Sequence, residues 1–269
     1  MITRRNIIGL LRSLHILHYA SLTIKRVTAL NSVLLCMLAF QFICLFAANR
    51  CYCQEQVVLF REEFADLDHW KHVFLSKTKT PTKYLIEVNQ EDHHLKAESN
   101  ASASALVHQT LFNVYQYPNV RWQWMIMNVY QQGDTRTKTG DNSPLRIYVL
   151  FEHQPDTFDG FERAIYDIAK LLHGEYLPYA ALCYFWDNQP TDDRRISPSP
   201  NVDRVKMIAL QGGTGKIGTW QEERINIVED YLQAFGKRPP PMAQIGIMND
   251  SDFTGEHSIS YLRFLEVYR

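Results

Sequence analysis

The chain has 269 residues, of which 46% are hydrophobic and 21% charged, and its formal net charge is −1. The charge is unevenly spread: residues 1–54 contain no Asp or Glu, whereas residues 51–269 contain 22 Lys and Arg against 29 Asp and Glu. An acidic domain is a poor partner for a phosphate backbone or an anionic lipid surface. We therefore predict that this part of the chain binds neither nucleic acid nor membrane.

An apolar run near the N-terminus, residues 33–48, contains a single glutamine and is preceded by Lys25 and Arg26. A basic segment followed by a short apolar run and small residues is typical of a secretory signal, whereas a membrane-spanning helix usually needs about 20 apolar residues. We predict cleavage after Ala48 or Cys53, which makes the protein periplasmic or secreted. If the run is retained instead, it anchors the protein in the inner membrane.

Four of the five cysteines lie in or beside this signal, so a product that starts at Gln54 keeps only Cys183 and has no internal disulfide. An exported chain of about 215 residues buries enough apolar surface to fold without one. The sequence therefore predicts two parts. Residues 1–53 are a long basic region plus a signal peptide or N-terminal anchor, and residues 54–269 are a single domain.

Short runs rich in Val, Ile, Tyr, Phe and Trp recur along this domain between turn signals, which is typical of antiparallel sandwiches and barrels. In the run 120–129, Val120, Trp122, Trp124 and Ile126 share one face, which predicts a half-buried strand. We expect about ten strands among twelve such runs: 57–60, 72–75, 84–88, 94–98, 105–112, 120–129, 145–151, 181–186, 205–210, 224–228, 243–249 and 259–268.

Helical periodicity is limited to two segments. Phe161, Ile165, Ile168 and Leu172 follow a helical spacing, and a shorter helix over residues 229–235 ends at Gly236 before three prolines. One or two helices among many strands favour an all-β fold. We predict a two-sheet antiparallel β-sandwich with jelly-roll or Greek-key connections and one or two inserted helices.

Several short motifs, taken together, resemble the Gram-negative secreted proteins grouped as domain of unknown function 3047. They are residues 64–70, 95–99, 103–104, 122–124, 140–142, 146–149 and 249–255. The resemblance implies a periplasmic β-sandwich with a layout similar to lectin-like carbohydrate-binding domains, and it implies no assigned activity. Where the resemblance leads us to expect two acids after Gly140, this chain has Asp141 and then Asn142.

Asp250, Ser251, Asp252 and Thr254 form the sharpest polar cluster, at the end of the apolar run 245–248. Oxygen ligands on a tight turn suit Ca²⁺, which makes Asp250 and Asp252 a candidate metal site. Asp side chains that cap a turn through backbone amides give the same pattern. We expect no other cofactor.

Asp141 and Arg146 form a second candidate. If both approach the sheet edge that carries Asp250 and Asp252, the four residues make a mixed-charge site for sugar hydroxyls or a carboxylate. An Arg–Asp pair that only fixes a loop is the alternative. Paired carboxylates also perform glycoside hydrolysis when they stand at a suitable separation.

Aromatic rings form the third candidate, because exposed rings bind the flat faces of sugars while buried rings fill a sandwich core. We expect Trp122 and Trp124 in the core. We expect Tyr148, opposite the apolar face of its strand, and Trp186, before Asp187 at a strand end, at the surface.

Two further motifs predict no chemistry. The glycine-rich run 212–216 departs from the phosphate-binding loop at Leu210 and Ile217, and we interpret it as a hairpin loop. His69, His72, His93 and His94 lack the spacing of a zinc site, and we expect them at the surface.

Together these observations favour a non-catalytic module that binds a glycan or another polar ligand in the cell envelope, through Asp141, Arg146, Tyr148, Trp186, Asp250 and Asp252. A carbohydrate-active hydrolase or lyase that uses Asp141, Asp250 or Asp252 is one alternative. A structural component of the envelope is the other.

Overall fold

A computed structural model describes residues 56–74, 80–89, 92–152, 178–191 and 194–269, together with Met37. The chain divides into two units, Met1–Glu55 and Gln56–Arg269. Met37 apart, the apolar run 33–48 lies outside the described residues, and so does the helix predicted around Phe161 and Leu172. None of the helical residues that the structure describes belongs to a helix with the length and hydrophobicity of a membrane span.

The described residues form fourteen strands and one helix. The strands are β1 (Val58–Glu62), β2 (Trp70–Phe74), β3 (Lys83–Asn89), β4 (Asp92–Asn100), β5 (Ala103–His108), β6 (Phe112–Asn113), β7 (Asn119–Ile126), β8 (Ser143–Phe151), β9 (Ala180–Asp187), β10 (Arg195–Pro198), β11 (Val205–Gly212), β12 (Gln221–Asn226), β13 (Met242–Asp250) and β14 (His257–Tyr268); helix α1 is Ile227–Phe235. All twelve predicted runs overlap strands, so the expectation that two of them were not strands is wrong. The short strand β10 was not predicted, because its sequence shows no apolar alternation.

The strands form two sheets, a six-stranded sheet A and an eight-stranded sheet B. Sheet A has the order β12–β7–β14–β4–β3, with β1 also paired to β14; sheet B has the order β10–β11–β9–β8–β13–β5–β2, with β6 also paired to β13. The predicted two-sheet sandwich is confirmed. It is not wholly antiparallel, since β9 and β11 run parallel.

The two sheets pack face to face through aromatic side chains. Trp122 and Trp124 of β7 are fully buried, as predicted, and their rings contact Tyr184 and Trp186 of β9 across the sandwich. The prediction that Trp186 lies at the surface is therefore wrong. Its ring is 0% exposed, and its Nε1 donates a hydrogen bond to the Gly213 carbonyl oxygen.

Strand β9 explains this error, because every one of its residues is buried and neither face is open to solvent. Leu182 and Tyr184 belong to the main core, whereas Cys183 and Phe185 pack on the opposite face of sheet B with Met207. A strand with two buried faces shows no polar alternation that could indicate which side chains are exposed.

Helix α1 begins two residues earlier than predicted and ends at the predicted Gly236. Asn226 caps its N-terminus by accepting hydrogen bonds from the backbone N–H groups of Val228 and Glu229, so the preceding strand stops there. Gly236 closes the helix with a φ of 69°, a left-handed conformation that glycine adopts easily.

The glycine-rich segment after β11 connects sheet B to β12 of sheet A. It is therefore a crossover between the sheets, and the interpretation as a hairpin loop is wrong. Nothing in its sequence specifies which sheet the next strand joins, since that choice depends on the long-range pairing of β12 with β7.

Candidate functional site

The predicted polar residues meet where β8 begins and its neighbour β13 ends. Arg146 Nη2 lies 3.0 Å from Asp141 Oδ1, and Arg146 Nε lies 3.0 Å from Asp250 Oδ1, in an ion pair that is not aligned as a hydrogen bond. Arg146, Asp141 and Asp250 are 4%, 5% and 3% exposed. The antiparallel pairing of the two strands thus places one guanidinium between two buried carboxylates.

Asn142 joins Asp252 to this group. Its Nδ2 donates to Asp250 Oδ2 at 2.9 Å and to Asp252 Oδ1 at 3.0 Å, while its Oδ1 accepts from the backbone N–H groups of Phe253 and Thr254. The two backbone donors fix the orientation of the amide. We call Asp141, Asn142, Arg146, Asp250 and Asp252 the Arg146 network.

This geometry does not fit the Ca²⁺ site suggested for Asp250 and Asp252. The position between the two carboxylates is taken by the amide N–H donors of Asn142, and Asp250 already has Arg146 as its counter-charge. A Ca²⁺ ion at that position would need oxygen atoms directed at it, whereas Asn142 directs N–H groups there. The acids therefore act as hydrogen-bond acceptors that tie the turn to the start of β8.

Burial and neighbouring charges shift the pKa values of groups in the network. Burial raises the pKa of Asp250 to about 6, although Arg146 and Asn142 act in the opposite direction. Burial would lower the pKa of Arg146, but Asp250 and Asp141 outweigh it and hold that pKa well above its usual value. The network contains three carboxyl groups and one guanidinium, so it has more acidic groups than basic ones.

Tyr148 lies on the same face of sheet B as Arg146, because the two residues are two positions apart in β8. It is half-buried and pairs across the strands with Cys183, next to the small apolar cluster that contains Phe185. Burial raises its pKa well above the usual value. Five of the six predicted site residues therefore share one region, and Trp186 lies in the core instead.

Two residues at the exposed rim of the network were not predicted. Phe253 is 51% exposed at the turn that Asn142 holds, and Asn201 Nδ2 donates to Asp141 Oδ2 at 2.9 Å. A phenylalanine inside the polar run 250–254 was a signal that could have found the first. The second lies 60 residues from its partner, and no local pattern indicates it.

A second polar cluster lies where β1 ends and β2 begins. Glu62 Oε1 is 3.0 Å from His69 Nδ1 and 3.0 Å from His108 Nε2, and Trp70 Nε1 lies 3.4 Å from Glu62 Oε2. Burial raises the pKa of Glu62, but the bonds from His108, His69 and Trp70 outweigh it and the pKa is lowered. A cavity of about 440 Å³ adjoins this Glu62 cluster and is lined by Arg61, Glu62, Glu63, Phe64, Ala65, Asp66 and His69.

The histidine predictions are only partly correct. His69 is exposed, but His94 is 9% exposed and its ring packs on Trp220, so its surface assignment is wrong. His72 Nε2 lies 2.8 Å from Ser104 Oγ, a pair that resembles a base and its nucleophile. Ser104 is completely buried, so its hydroxyl cannot reach a substrate.

A family model described as "Protein of unknown function (DUF3047)" matches residues 68–266. No curated protein matches the chain.

Solved structures match with low identity over most of the chain. A family 11 carbohydrate-binding module from Clostridium thermocellum matches at 6% identity and a TM-score of 0.38, covering 79% of this chain and 94% of the module. A cellulase derived from Cel12A of Rhodothermus marinus matches at 14% and 0.43, covering 77% and 95%. Lectin I-B4 from Griffonia simplicifolia matches at 10% and 0.35, covering 77% and 97%. Similarity at this level carries no argument about activity.

Proposed function

Since this chain belongs to the DUF3047 family, whose description assigns no function, we propose a function from the geometry of the Arg146 network and its rim. The protein is a non-catalytic module that binds a glycan or another polar ligand in the cell envelope. Its ligand lies on the rim formed by Phe253, Asp252 and Asn201, and the buried network beneath holds that rim in place.

The observation that carries the proposal is the exposed ring of Phe253 beside polar groups on a fixed turn. A sugar presents an apolar face that packs on an aromatic ring, and it presents hydroxyls that bond to carboxylate and amide groups. Asn142 accepts hydrogen bonds from the backbone of Phe253 and Thr254, so the turn is ordered before a ligand arrives. Such preorganisation lowers the entropy cost of binding.

Burial of the acids supports a binding role over catalysis. A general acid or nucleophile must come within hydrogen-bond reach of its substrate. Asp141 and Asp250 are almost completely buried and already paired with Arg146. Their negative charges are therefore paired within the protein and are not directed at a substrate.

A hydrolase or lyase is the second candidate, and one observation favours it. Asp250 has a pKa of about 6, which lies in the range suited to a general acid near neutral pH. In that case Asp250→Asn abolishes turnover of a polysaccharide while Phe253→Ala only weakens it. A binding module turns over no polysaccharide in either form.

Replacing Phe253 by alanine tests the binding proposal. Full burial of a phenylalanine side chain contributes about 1.5–3 kcal/mol, so covering the exposed half of the Phe253 side chain contributes roughly 0.8–1.5 kcal/mol, and about 1.4 kcal/mol corresponds to a tenfold change in affinity. We therefore expect about a tenfold loss of affinity. The measurement is a glycan array on the wild type, followed by calorimetric titration of the best polysaccharide into both proteins.

Phe74→Ala is the matched control, because Phe74 is also an exposed phenylalanine but lies on β2, which β5 separates from the network strand β13. We expect the control to bind as the wild type does. Equal affinities for wild type and Phe253→Ala contradict the assignment of the rim. An array without any glycan signal contradicts the glycan proposal itself.

Export is a further part of the proposal, supported by the apolar run 33–48. We expect the mature protein in the periplasmic or secreted fraction. Its mass should equal that of a chain that starts at Asn49 or Gln54. Mass spectrometry of the native protein measures this. An intact chain in the membrane fraction contradicts cleavage and supports an N-terminal anchor.

A further inference from the structure

We infer that Glu62, His69 and His108 form a binding site for a divalent transition-metal ion, with Zn²⁺ as the ion that suits them best. One carboxylate oxygen and two imidazole nitrogens, one from each residue, all lie within 4.8 Å of one another. Two imidazoles and a carboxylate are a common zinc donor set. The site is separate from the Arg146 network and does not depend on the proposed function.

The observed spacing is close to that of a metal centre. Zinc ligands lie about 2.0–2.2 Å from the ion, so ligand atoms in a tetrahedron lie about 3.3 Å from each other. Glu62 Oε1 is 3.0 Å from each imidazole nitrogen. The two imidazole nitrogens lie within 4.8 Å of each other, and a shift of the His69 side chain, which is 69% exposed, would bring them to the spacing of zinc ligands.

The other two ligands are held rigidly by their surroundings. Trp70 Nε1 lies within reach of Glu62 Oε2, which leaves Oε1 directed at both imidazoles. The His108 ring stacks on Phe60, with centroids 4.1 Å apart and planes 9° apart. Groups that orient a ligand in this way contribute to metal affinity without touching the ion.

Metal binding would change which ring nitrogen of His108 carries the proton. His108 Nδ1 accepts the backbone N–H of Thr110 at 3.2 Å, so without a metal the His108 proton sits on Nε2 and is donated to Glu62. A metal at Nε2 moves this proton to Nδ1 and breaks the Thr110 contact. One such hydrogen bond corresponds to about a tenfold change in affinity, a small loss beside the affinity of a zinc site with three protein ligands.

The surroundings favour a cation and leave one coordination position open. The cavity lining carries Glu62, Glu63 and Asp66 against Arg61, which is already paired with Glu63 and Glu266. Phe64, fully buried in the same loop, has a φ of 54°, a strained conformation for a large side chain. Three protein ligands beside a cavity leave the fourth position for water or an oxygen ligand.

The test is calorimetric titration of Zn²⁺ into the untagged full-length protein after treatment with EDTA, with a competing chelator. We expect one ion per chain at this site and a loss of affinity of about 100-fold or more in His69→Ala, because the loss of an orienting group alone costs about 10–100-fold. His69 is exposed, so this variant is expected to remain folded, which thermal unfolding verifies.

His257→Ala is the matched control, since His257 is also an exposed histidine beside a carboxylate, at 3.4 Å from Glu98, but belongs to no group of three such ligands among the described residues. It is expected to bind as the wild type does. A Co²⁺ spectrum without a thiolate band separates this site from the cysteines of residues 1–53. Equal Zn²⁺ affinity in wild type and His69→Ala, or binding that shows a thiolate band alone, overturns the inference.

Discussion

Replacement of Arg146 by alanine is expected to lower the free energy of unfolding by about 3–5 kcal/mol, the usual cost of removing one partner of a buried ion pair. The variant leaves Asp141 and Asp250 buried without the guanidinium that lies 3.0 Å from each of them. Urea unfolding monitored by tryptophan fluorescence measures the change. Arg136→Ala is the control, since its ion pair with Asp134 is exposed and screened by solvent, so little or no change in stability is expected.

The pH dependence separates lost charge from lost packing. Asp250 has a raised pKa in the folded protein, so the folded state retains its proton to higher pH than the unfolded state does. Removing Arg146 raises this pKa further, because the opposite charge is gone. The destabilisation is therefore largest above about pH 6 and shrinks as the pH falls and Asp250 is protonated.

Arg146→Met replaces the charge with an apolar chain of similar length, and it is expected to show the same pH dependence with a smaller cavity cost. A destabilisation that is independent of pH in both variants contradicts the electrostatic account. A change below about 1 kcal/mol in Arg146→Ala shows instead that solvent reaches the two carboxylates readily. That result would favour a direct role of the network in ligand binding.

Local sequence patterns were sufficient to predict most of the fold. Alternation places Trp122 and Trp124 in the core, and the Gly236 signal ends α1 at the observed residue. Trp186 was misplaced because β9 is buried on both faces, so that its sequence contains no sign of an exposed side. The parallel pairing of β9 with β11 is a long-range contact that no local pattern specifies.

The two polar clusters differ in how far local sequence patterns can predict them. Asp141, Arg146 and Asp250 lie where strands start or end, and strand ends were identified from the sequence. Glu62 and His108 are 46 residues apart. Since β1 belongs to sheet A and β5 to sheet B, the two side chains meet only where the sheets pack together. Their approach is a property of the packed sandwich, and spacing along the chain does not show it.

Asn142→Asp is expected to destabilise the protein by about 3–5 kcal/mol in the absence of metal, because it places a third carboxylate between Asp250 and Asp252. The amide nitrogen it replaces lies 2.9 and 3.0 Å from oxygens of those two acids. The new side chain keeps one oxygen to accept the backbone N–H groups of Phe253 and Thr254, so the turn retains its position. Repulsion between the acids is the main change.

The same variant is expected to gain a response to Ca²⁺ that the wild type lacks. Three carboxylates around one position form an oxygen site that a calcium ion neutralises, and a ligand that binds only the folded state stabilises it in proportion to the logarithm of its concentration. Millimolar Ca²⁺ should therefore recover part of the lost stability in a urea titration. Asn142→Ala removes the same amide without adding charge, so it is expected to be destabilised with or without Ca²⁺. If Asn142→Asp is as stable as the wild type without Ca²⁺, the amide donors of Asn142 are not what holds the two acids together.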